Sequence, residues 1–513
     1  MPSSVPSTSS SSGKPSVTPS ETSSTKLQGT LLSLIVALAV FLRLHAIATK
    51  SFWVDEGISA GIARLPWKQF FLVLWHREAN MALYYLLLHF WMKLGSGEAL
   101  VRGLSVVFSV ATIPLMYSLG RRLFGNAAGL MAAWLLAINA YHIRYAQEAR
   151  GYALVVLLTT LSTWLLVRNL QRPAAARWGA YALTSALAVY AHFFGALVVA
   201  AHVAAMLWLP REAAPWRGFG RSVRWFAYMV LPLAALAAKI GGGPVNWLPS
   251  PSLATVTNFF AVMTGNGGAA LMVLDALALL LAAFFGWRAW RSAGSSKESW
   301  GYVLIFLWLL APPAAVLFVS LVRPFFLARY LIFCLPALVL GVAAGVARLR
   351  PAALGWVLAA AISVFCAQGT RSYYRADFDL NREDWRSATG FILDNAKPGD
   401  AIFFTSLGRL PYDYYRTLRK PAPPGPWILN APDGASLEYK DFLVIPLAEM
   451  LRDARPAPDR VWLVFFLNRM PSGEEDRTSL MLRAVYGKGR RLEEQQEFPQ
   501  ITVLLYTRDS VSR

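Results

Sequence analysis

Two acids stand side by side at Asp55 and Glu56, in the run SFWVDEG that follows the first apolar stretch of the chain. A carboxylate held near a reacting hydroxyl can take its proton. Acids kept at a membrane surface, where they are costly to desolvate, are candidates for function. Glu78 is a further acid in the same region. A second cluster, YHIRYAQEARGYAL, sets Arg144, Glu148 and Arg150 among Tyr141, Tyr145 and Tyr152. A third, LVRPFFLARYLIF, carries Arg323 and Arg329. Guanidinium groups bind phosphate through paired donors, so an arginine pair at a membrane surface can hold a lipid phosphate. His192 lies at the end of an apolar run in VYAHFFG. Each feature also has a plainer reading. Asp55 and Glu56 can simply open an amphipathic helix, where acids favour the dipole. The tyrosines and arginines can form an interfacial belt. The arginine pair can touch ordinary headgroups, and a lone His is more often a capped structural residue.

Other chemistries find no support. The six His are scattered, and the two Cys, Cys334 and Cys366, lie inside apolar runs, so no metal-ligand spacing or disulfide framework is present. No phosphate-binding loop or dinucleotide fingerprint occurs, which argues against ATP-driven chemistry. No cofactor is expected, and the sequence does not indicate a divalent metal.

The elements that must position these residues are membrane spans. Of the 513 residues, 56% are hydrophobic, above the roughly 45–50% of soluble domains, and the excess lies in residues 28–370. A spanning helix needs about 20 apolar residues. Eleven candidates follow: 28–48, 99–120, 127–146, 152–168, 178–192, 194–210, 225–240, 269–287, 300–321, 328–347 and 352–368. Residues 81–95 are apolar but short, which suits an interfacial segment. With the N-terminus in the cytoplasm, alternate loops carry Arg121 and Arg122; Arg168, Arg172 and Arg177; Arg211, Arg217, Arg221 and Arg224; Arg288, Arg291 and Lys297; Arg348 and Arg350. The loops at 191–195 and 241–268 carry no Lys or Arg. This is a positive-inside pattern. It predicts an N-terminus in the cytoplasm of a multi-pass inner (plasma) membrane protein, with loops 49–98, 144–152, 241–268 and 322–329 and the C-terminal domain outside.

The first 370 residues hold 28 basic and 9 acidic residues, which is +19 of the formal +20. The high basicity therefore belongs to cytoplasmic loops and does not indicate nucleic-acid binding. Residues 1–26 are Ser/Thr/Pro-rich and are expected to be a disordered cytoplasmic tail. The membrane domain is expected over 27–369, its loop 49–98 carrying interfacial helices, and a small α/β domain over 370–513. There, NREDWRSATGFILDNA has helical spacing with Asn381 or Asp384 as a cap. KPGDAIFF, RVWLVFFL and ITVLLYT read as strands, and 421–435 as a Pro/Gly-rich loop.

In order and placement, FWVDEG, ALYYLLLHFW, RRLFG, YAQEARGYAL and RPFFLARYLIF resemble the membrane-embedded GT-C glycosyltransferases. The nearest likeness is to bacterial enzymes similar to protein O-mannosyltransferases (family 39) and to the lipid A aminoarabinose transferase. DWRSATGFILDNAKPGD is similar to them too. The resemblance implies a polytopic helical protein of about 11 spans with a small extracytoplasmic α/β domain. It implies an inverting hexosyl- or pentosyltransferase that takes its sugar from a polyprenyl-phosphate donor and gives it to a hydroxyl of a glycan, lipid or protein. In that reading Asp55 is the catalytic carboxylate and Glu56 its motif partner. Glu78, Asn80, Glu148, Arg150, Tyr152 and His192 shape the acceptor side or the cavity. Arg323, Arg329 and Tyr330 hold the donor phosphate. The family often has an acid and then His-Pro-Pro before LYY; this chain keeps Glu78 but has Asn80, Met81 and Ala82, so the start of the following helix is expected to be less kinked. The rival readings are a transporter or flippase of lipid-linked sugar, and a non-catalytic subunit that only binds polyprenyl lipid. Paired repeats and midplane helix breaks, common in transporters, are not evident, although Pro312-Pro313 and Pro336 lie within apolar runs.

Overall fold

The computed structural model describes residues 19–210, 214–241, 250–376, 382–405, 407–419, 425–429, 437–443, 451, 458–466 and 475–508. The membrane half runs α1 (Pro19–Leu44), α2 (Val54–Arg64), α3 (Trp67–His76), α4 (Ala82–Trp91), α5 (Glu98–Phe124), α6 (Asn126–Ile138), α7 (Ala140–Ala146), α8 (Tyr152–Gln171), α9 (Trp178–Ala191), α10 (Ala196–Leu207), α11 (Trp216–Ile240), α12 (Leu253–Met263), α13 (Ala269–Ala293), α14 (Lys297–Ser320), a 3-10 segment Ala328–Cys334, α15 (Leu335–Ala347) and α16 (Ala352–Ala376).

Among the described residues, eight helices are long and apolar enough to cross a membrane: α1, α5, α8, α11, α13, α14, α15 with its preceding 3-10 segment, and α16. The other three expected spans are shorter. The stretch 127–146 is divided at Asn139, whose side chain accepts the amide of His142 and caps α7. The expected spans 178–192 and 194–210 form α9 of 14 residues and α10 of 12, with His192 and a 3-10 turn between them. Residues 81–95 form the ten-residue α4 and one 3-10 turn, too short to span. Two ends differ from expectation. Residues 19–26 are helical rather than tail, while residues 1–18 lie outside the described residues. Helix α11 starts at Trp216 and takes in Arg217, Arg221 and Arg224, because arginine is a good helix former and reaches water from a helix end.

Buried polar groups close the helix ends inside the bundle. Arg43 of α1 is fully buried. It donates to the carbonyls of Leu136 and Ala137, to Ser109 Oγ and to His142 Nδ1. Two carbonyls at the end of α6, left without helical partners, are thereby satisfied. Close helix crossings rely on small residues. A Cβ on Gly129 of α6 would lie 2.6 Å from the Tyr117 carbonyl oxygen of α5. Gly129→Val is therefore expected to destabilise the protein by about 1–3 kcal/mol through overpacking. A thermal scan in detergent should show the drop; an unchanged midpoint would mean that the two helices can part at no penalty.

The C-terminal domain contains α17 (Trp385–Asn395), β1 (Ala401–Phe404), α18 (Arg409–Leu418), β2 (Trp427–Ile428), β3 (Arg460–Phe466), α19 (Arg477–Gly487), β4 (Arg490–Phe498) and β5 (Ile501–Arg508). The sheet order is β2-β1-β3-β5-β4, with β1 parallel to β2 and β3 and the other pairs antiparallel. Alternation along the strands divides the core. Ala401, Phe403, Leu463 and Phe465 pack with Leu482 and Tyr486 of α19. Ile402, Phe404, Trp462 and Val464 pack with Trp385 and Ile392 of α17, in one cluster continuous with the membrane half. Asp384 caps α17 through Ser387; Asn381 lies outside the described residues, as does most of 421–435.

The sheet domain is fastened to the segment around α2. Arg386 donates to the carbonyls of Ala48, Thr49 and Lys50 and forms an ion pair with Glu98. Tyr415 hydroxyl accepts the amide of Phe52 at 2.7 Å and donates to Glu98. Helix α18 lies so close to α2 that a Cβ on Gly57 would meet the backbone nitrogen of Pro411 at 2.8 Å.

Candidate active site

Helix α2 carries both acids in its first turn, but they face different surroundings. Glu56 is fully buried and its oxygens are taken. It holds Arg102 of α5 through two bonds of 2.8 and 2.7 Å, accepts the Ala149 amide at 2.9 Å, and pairs with Arg382 at 3.1 Å. Arg102 also donates to the carbonyls of Ile47, Lys50 and Ser51. Glu56 therefore ties together α2, α5, the loop after α7 and the C-terminal domain. Removing one partner of such a buried pair leaves a charge without compensation. Arg102→Met should lower stability by about 3–5 kcal/mol, and the double change with Glu56→Gln should recover part of that. If the single variant melts with the wild type, the pair does not hold these segments.

Asp55 is different. Its side chain retains 21% exposure and faces Arg150 across 3.6 Å. Arg150, on the loop between α7 and α8, donates to the Asp55 carbonyl, Ser59 Oγ and the Tyr85 hydroxyl. The Tyr85 hydroxyl in turn donates to Glu78 at 3.3 Å. Partial burial pushes the Glu78 carboxyl above its ordinary range, against the opposing effect of Arg150. Asp55, Arg150, Tyr85 and Glu78 thus form one chain of polar contacts. The backbone of Arg150 is held from below, since Ser105 Oγ donates to its carbonyl and binds Tyr84 hydroxyl.

Glu148 is buried and pairs with Arg144 at 3.2 Å. Tyr152 opens α8, with its ring 4.8 Å from Tyr145 and 6.0 Å from His192, and with the Arg150 guanidinium over it at 5.9 Å. His192 accepts the Phe194 amide on Nδ1, so the ring proton sits on Nε2. Tyr330 stands 5.3 Å from the His192 ring. Arg329 lies over the ring of Trp53, at 5.3 Å, and next to Tyr330; Tyr152, Asp55 and Tyr145 are its electrostatic neighbours.

Asn80 accepts the Phe193 amide at 3.0 Å, which tethers the start of α4 beside His192. Met81 follows with φ 64, a left-handed conformation rare for a residue with a long side chain. The chain turns sharply there without prolines, contrary to the expectation of a gentler start. Arg323 is exposed, with its guanidinium over the ring of Phe325. Asp275 is buried in α13 beside a small cavity with Asn139, Thr264 and Cys366, apart from Asp55.

Buried polar atoms nearly always find a partner, and those that do not call for an explanation. Here five such atoms without a partner gather around Asp55: Trp53 Nε1, Arg150 Nε, Tyr152 hydroxyl, His192 Nε2 and Arg329 Nε. Four of them are N–H donors and the fifth is a hydroxyl, so together they suit a ligand rich in acceptor oxygens. Among the described residues, no three His, Cys, Asp or Glu side chains converge as a metal site would need.

Sequence reasoning missed several members of this group. Arg102 lies inside an apolar span, where an arginine is itself a usable signal of function. Tyr85 and Trp53 sat inside quoted motifs without a role. Arg382 and Glu383 could not be assigned, because their partners are more than 300 residues away.

A sequence model of the dolichyl-phosphate-mannose-protein mannosyltransferase family matches residues 80–240. Among curated proteins, none matches the chain. The fold is similar to that of ArnT from Cupriavidus metallidurans bound to undecaprenyl phosphate, with a TM-score of 0.61 and 14% identity over 92% of this chain and 97% of that one. It is also similar to the oligosaccharyltransferase of Archaeoglobus fulgidus tethered with an acceptor peptide, with a TM-score of 0.52 and 12% identity over 86% of this chain and 69% of that one. The resemblance read from the motifs thus holds at the level of architecture: the chain has the fold of the GT-C superfamily of membrane glycosyltransferases.

Proposed function

We propose that the protein is an inverting glycosyltransferase that moves a sugar from a polyprenyl-phosphate donor to a hydroxyl acceptor at the outer face of the membrane. The observation that carries this reading is the partly exposed Asp55 next to Arg150 and Arg329, with five unpartnered polar atoms around it. Two facts support the donor class: the match to a dolichyl-phosphate-mannose-dependent family, and the likeness to a structure that binds undecaprenyl phosphate. The run of basic alternate loops, set against the loops at 191–195 and 241–268 that carry no Lys or Arg, supports an outward-facing site.

In this mechanism the acceptor hydroxyl gives its proton to Asp55 as its oxygen bonds to the anomeric carbon. The bond from that carbon to the phosphate oxygen breaks, its electron pair stays on the phosphate, and the configuration inverts. Arg329, beside Tyr330, stabilises the charge that develops on the leaving phosphate; preorganised positive charge in a dry site is suited to that task. Arg150 orients Asp55. Tyr152, His192 and Trp53 offer donors to sugar and phosphate oxygens, and Glu78 shapes the acceptor side through Tyr85. Glu56, with its oxygens occupied, acts by holding α2. Asn80 fixes the start of α4, and Glu148 braces the loop through Arg144. Arg323 is left to contact headgroups.

The test uses purified protein, a short polyprenyl-phosphate carrying labelled sugar, and an envelope extract as the source of acceptor. Covalently labelled product is expected. Counterflow of labelled donor across vesicles, without any labelled product, would favour the transporter instead.

A further inference from the structure

Helix α2 begins without a cap of its own. Trp53 occupies the N-cap position with φ −93 and ψ 172 and makes no side-chain capping bond. The first backbone N–H groups of a helix have no partner within it. Here the Val54 amide is met from the C-terminal domain: Glu383 accepts it on Oε2 at 2.6 Å. The same oxygen accepts the indole N–H of Trp385 at 2.7 Å. Glu383 is 6% exposed. Its neighbours in sequence have related tasks, since Arg382 pairs with Glu56 and Asp384 caps α17. Three consecutive residues therefore hold the second acid of α2, the start of α2, and the helix that anchors them both.

We infer that Glu383 is a positioning residue, a cap supplied from the C-terminal domain that fixes the first turn of α2 and with it the aim of Asp55, one residue further on. The inference rests on the reading of Asp55 as the base. It makes the sheet domain part of the apparatus that sets the rate, in addition to whatever it recognises. The bond is a poor substitute for a local cap unless the two domains are fixed together, and they are fixed: Arg386 and Tyr415 bind the backbone just before α2, and α18 packs on its Gly57. Burial pushes the Glu383 carboxyl up to about 8, with Asp55 adding to the rise and the bonds from Trp385 and Val54 and the charge of Arg382 opposing it. Near neutrality it is therefore mostly protonated, and glutamine is its close mimic. Small displacements of a catalytic group can reduce a rate by about a hundredfold.

Three variants test this in the sugar-transfer assay. Glu383→Gln keeps an acceptor for the Val54 amide and should stay within about threefold of wild type. Glu383→Leu should lower kcat by about 10- to 100-fold and leave the donor KM unchanged. Adding Val54→Pro should restore kcat to within about fivefold of wild type: proline at the first helical position has no N–H to satisfy, and the extended Trp53 suits a residue before proline. Should Glu383→Leu not fold, Glu383→Asp, which withdraws the carboxyl by one methylene, carries the same pair of expectations. Unchanged kcat in the Leu or Asp variant overturns the proposal, as does a folded double variant that proline does not rescue. A wild-type protein without transfer activity overturns the reading of Asp55 on which the proposal rests, whereas an active wild type indifferent to position 383 overturns this proposal alone.

Discussion

Replacing Asp55 with Asn should reduce sugar transfer by about a thousandfold, within the range that a positioned general base contributes. Asn keeps the size and much of the hydrogen-bonding shape of Asp but cannot take the acceptor proton. The protein should still fold. Asp55 lies in the first turn of α2, where the fully buried Glu56 carries the contacts to α5 and the C-terminal domain, and its own ion pair with Arg150 is long at 3.6 Å. Size-exclusion and thermal profiles in detergent should therefore match wild type while turnover disappears. Transfer at the wild-type rate by a folded Asp55→Asn protein would remove Asp55 from the chemistry.

Replacing Arg329 with Ala should weaken donor binding by about tenfold to a hundredfold, because a partly buried guanidinium with an enclosed, unpartnered Nε is lost from the place assigned to the phosphate. At saturating donor the rate should fall less than the affinity. Lysine should restore only part of the loss, since it supplies the charge without the planar fork or the stacking on Trp53. Initial rates measured across donor and acceptor concentrations separate the two effects. A change confined to the acceptor KM would mean that Arg329 does not hold the phosphate.

The catalytic candidates were legible because they break local patterns. Asp55 and Glu56 are acids where few are found, and Arg329 runs against the charge bias of its loop. The difference between the two acids was not legible. Both sit in the first turn of one helix, and only the positions of Arg102 and Arg382, 46 and 326 residues away, decide which carboxylate is consumed by structure. Span counting succeeded where a helix is one long apolar run, as in α5 or α13. It blurred where a polar residue breaks the run, as Asn139 does, because hydropathy averages across such a break, whereas the break at His192 falls between two of the expected spans. In the C-terminal domain the buried strands β1, β3 and β5 were visible as apolar runs. The edge strand β4, RRLEEQQEF, is exposed along nearly its whole length; without a buried face it shows no alternation, and charged edge strands of this kind escape pattern reading. Met81 shows a further limit: its left-handed backbone, at φ 64, leaves no trace in composition.

The most direct measurement is mass spectrometry of envelope glycans, lipids and glycoproteins from cells lacking this protein, complemented with wild type or with Asp55→Asn. Loss of a sugar substituent that returns with the wild-type chain, and fails to return with an equally abundant Asp55→Asn chain, is the predicted result. A substituent restored by both chains, or a profile that never changes, would contradict it.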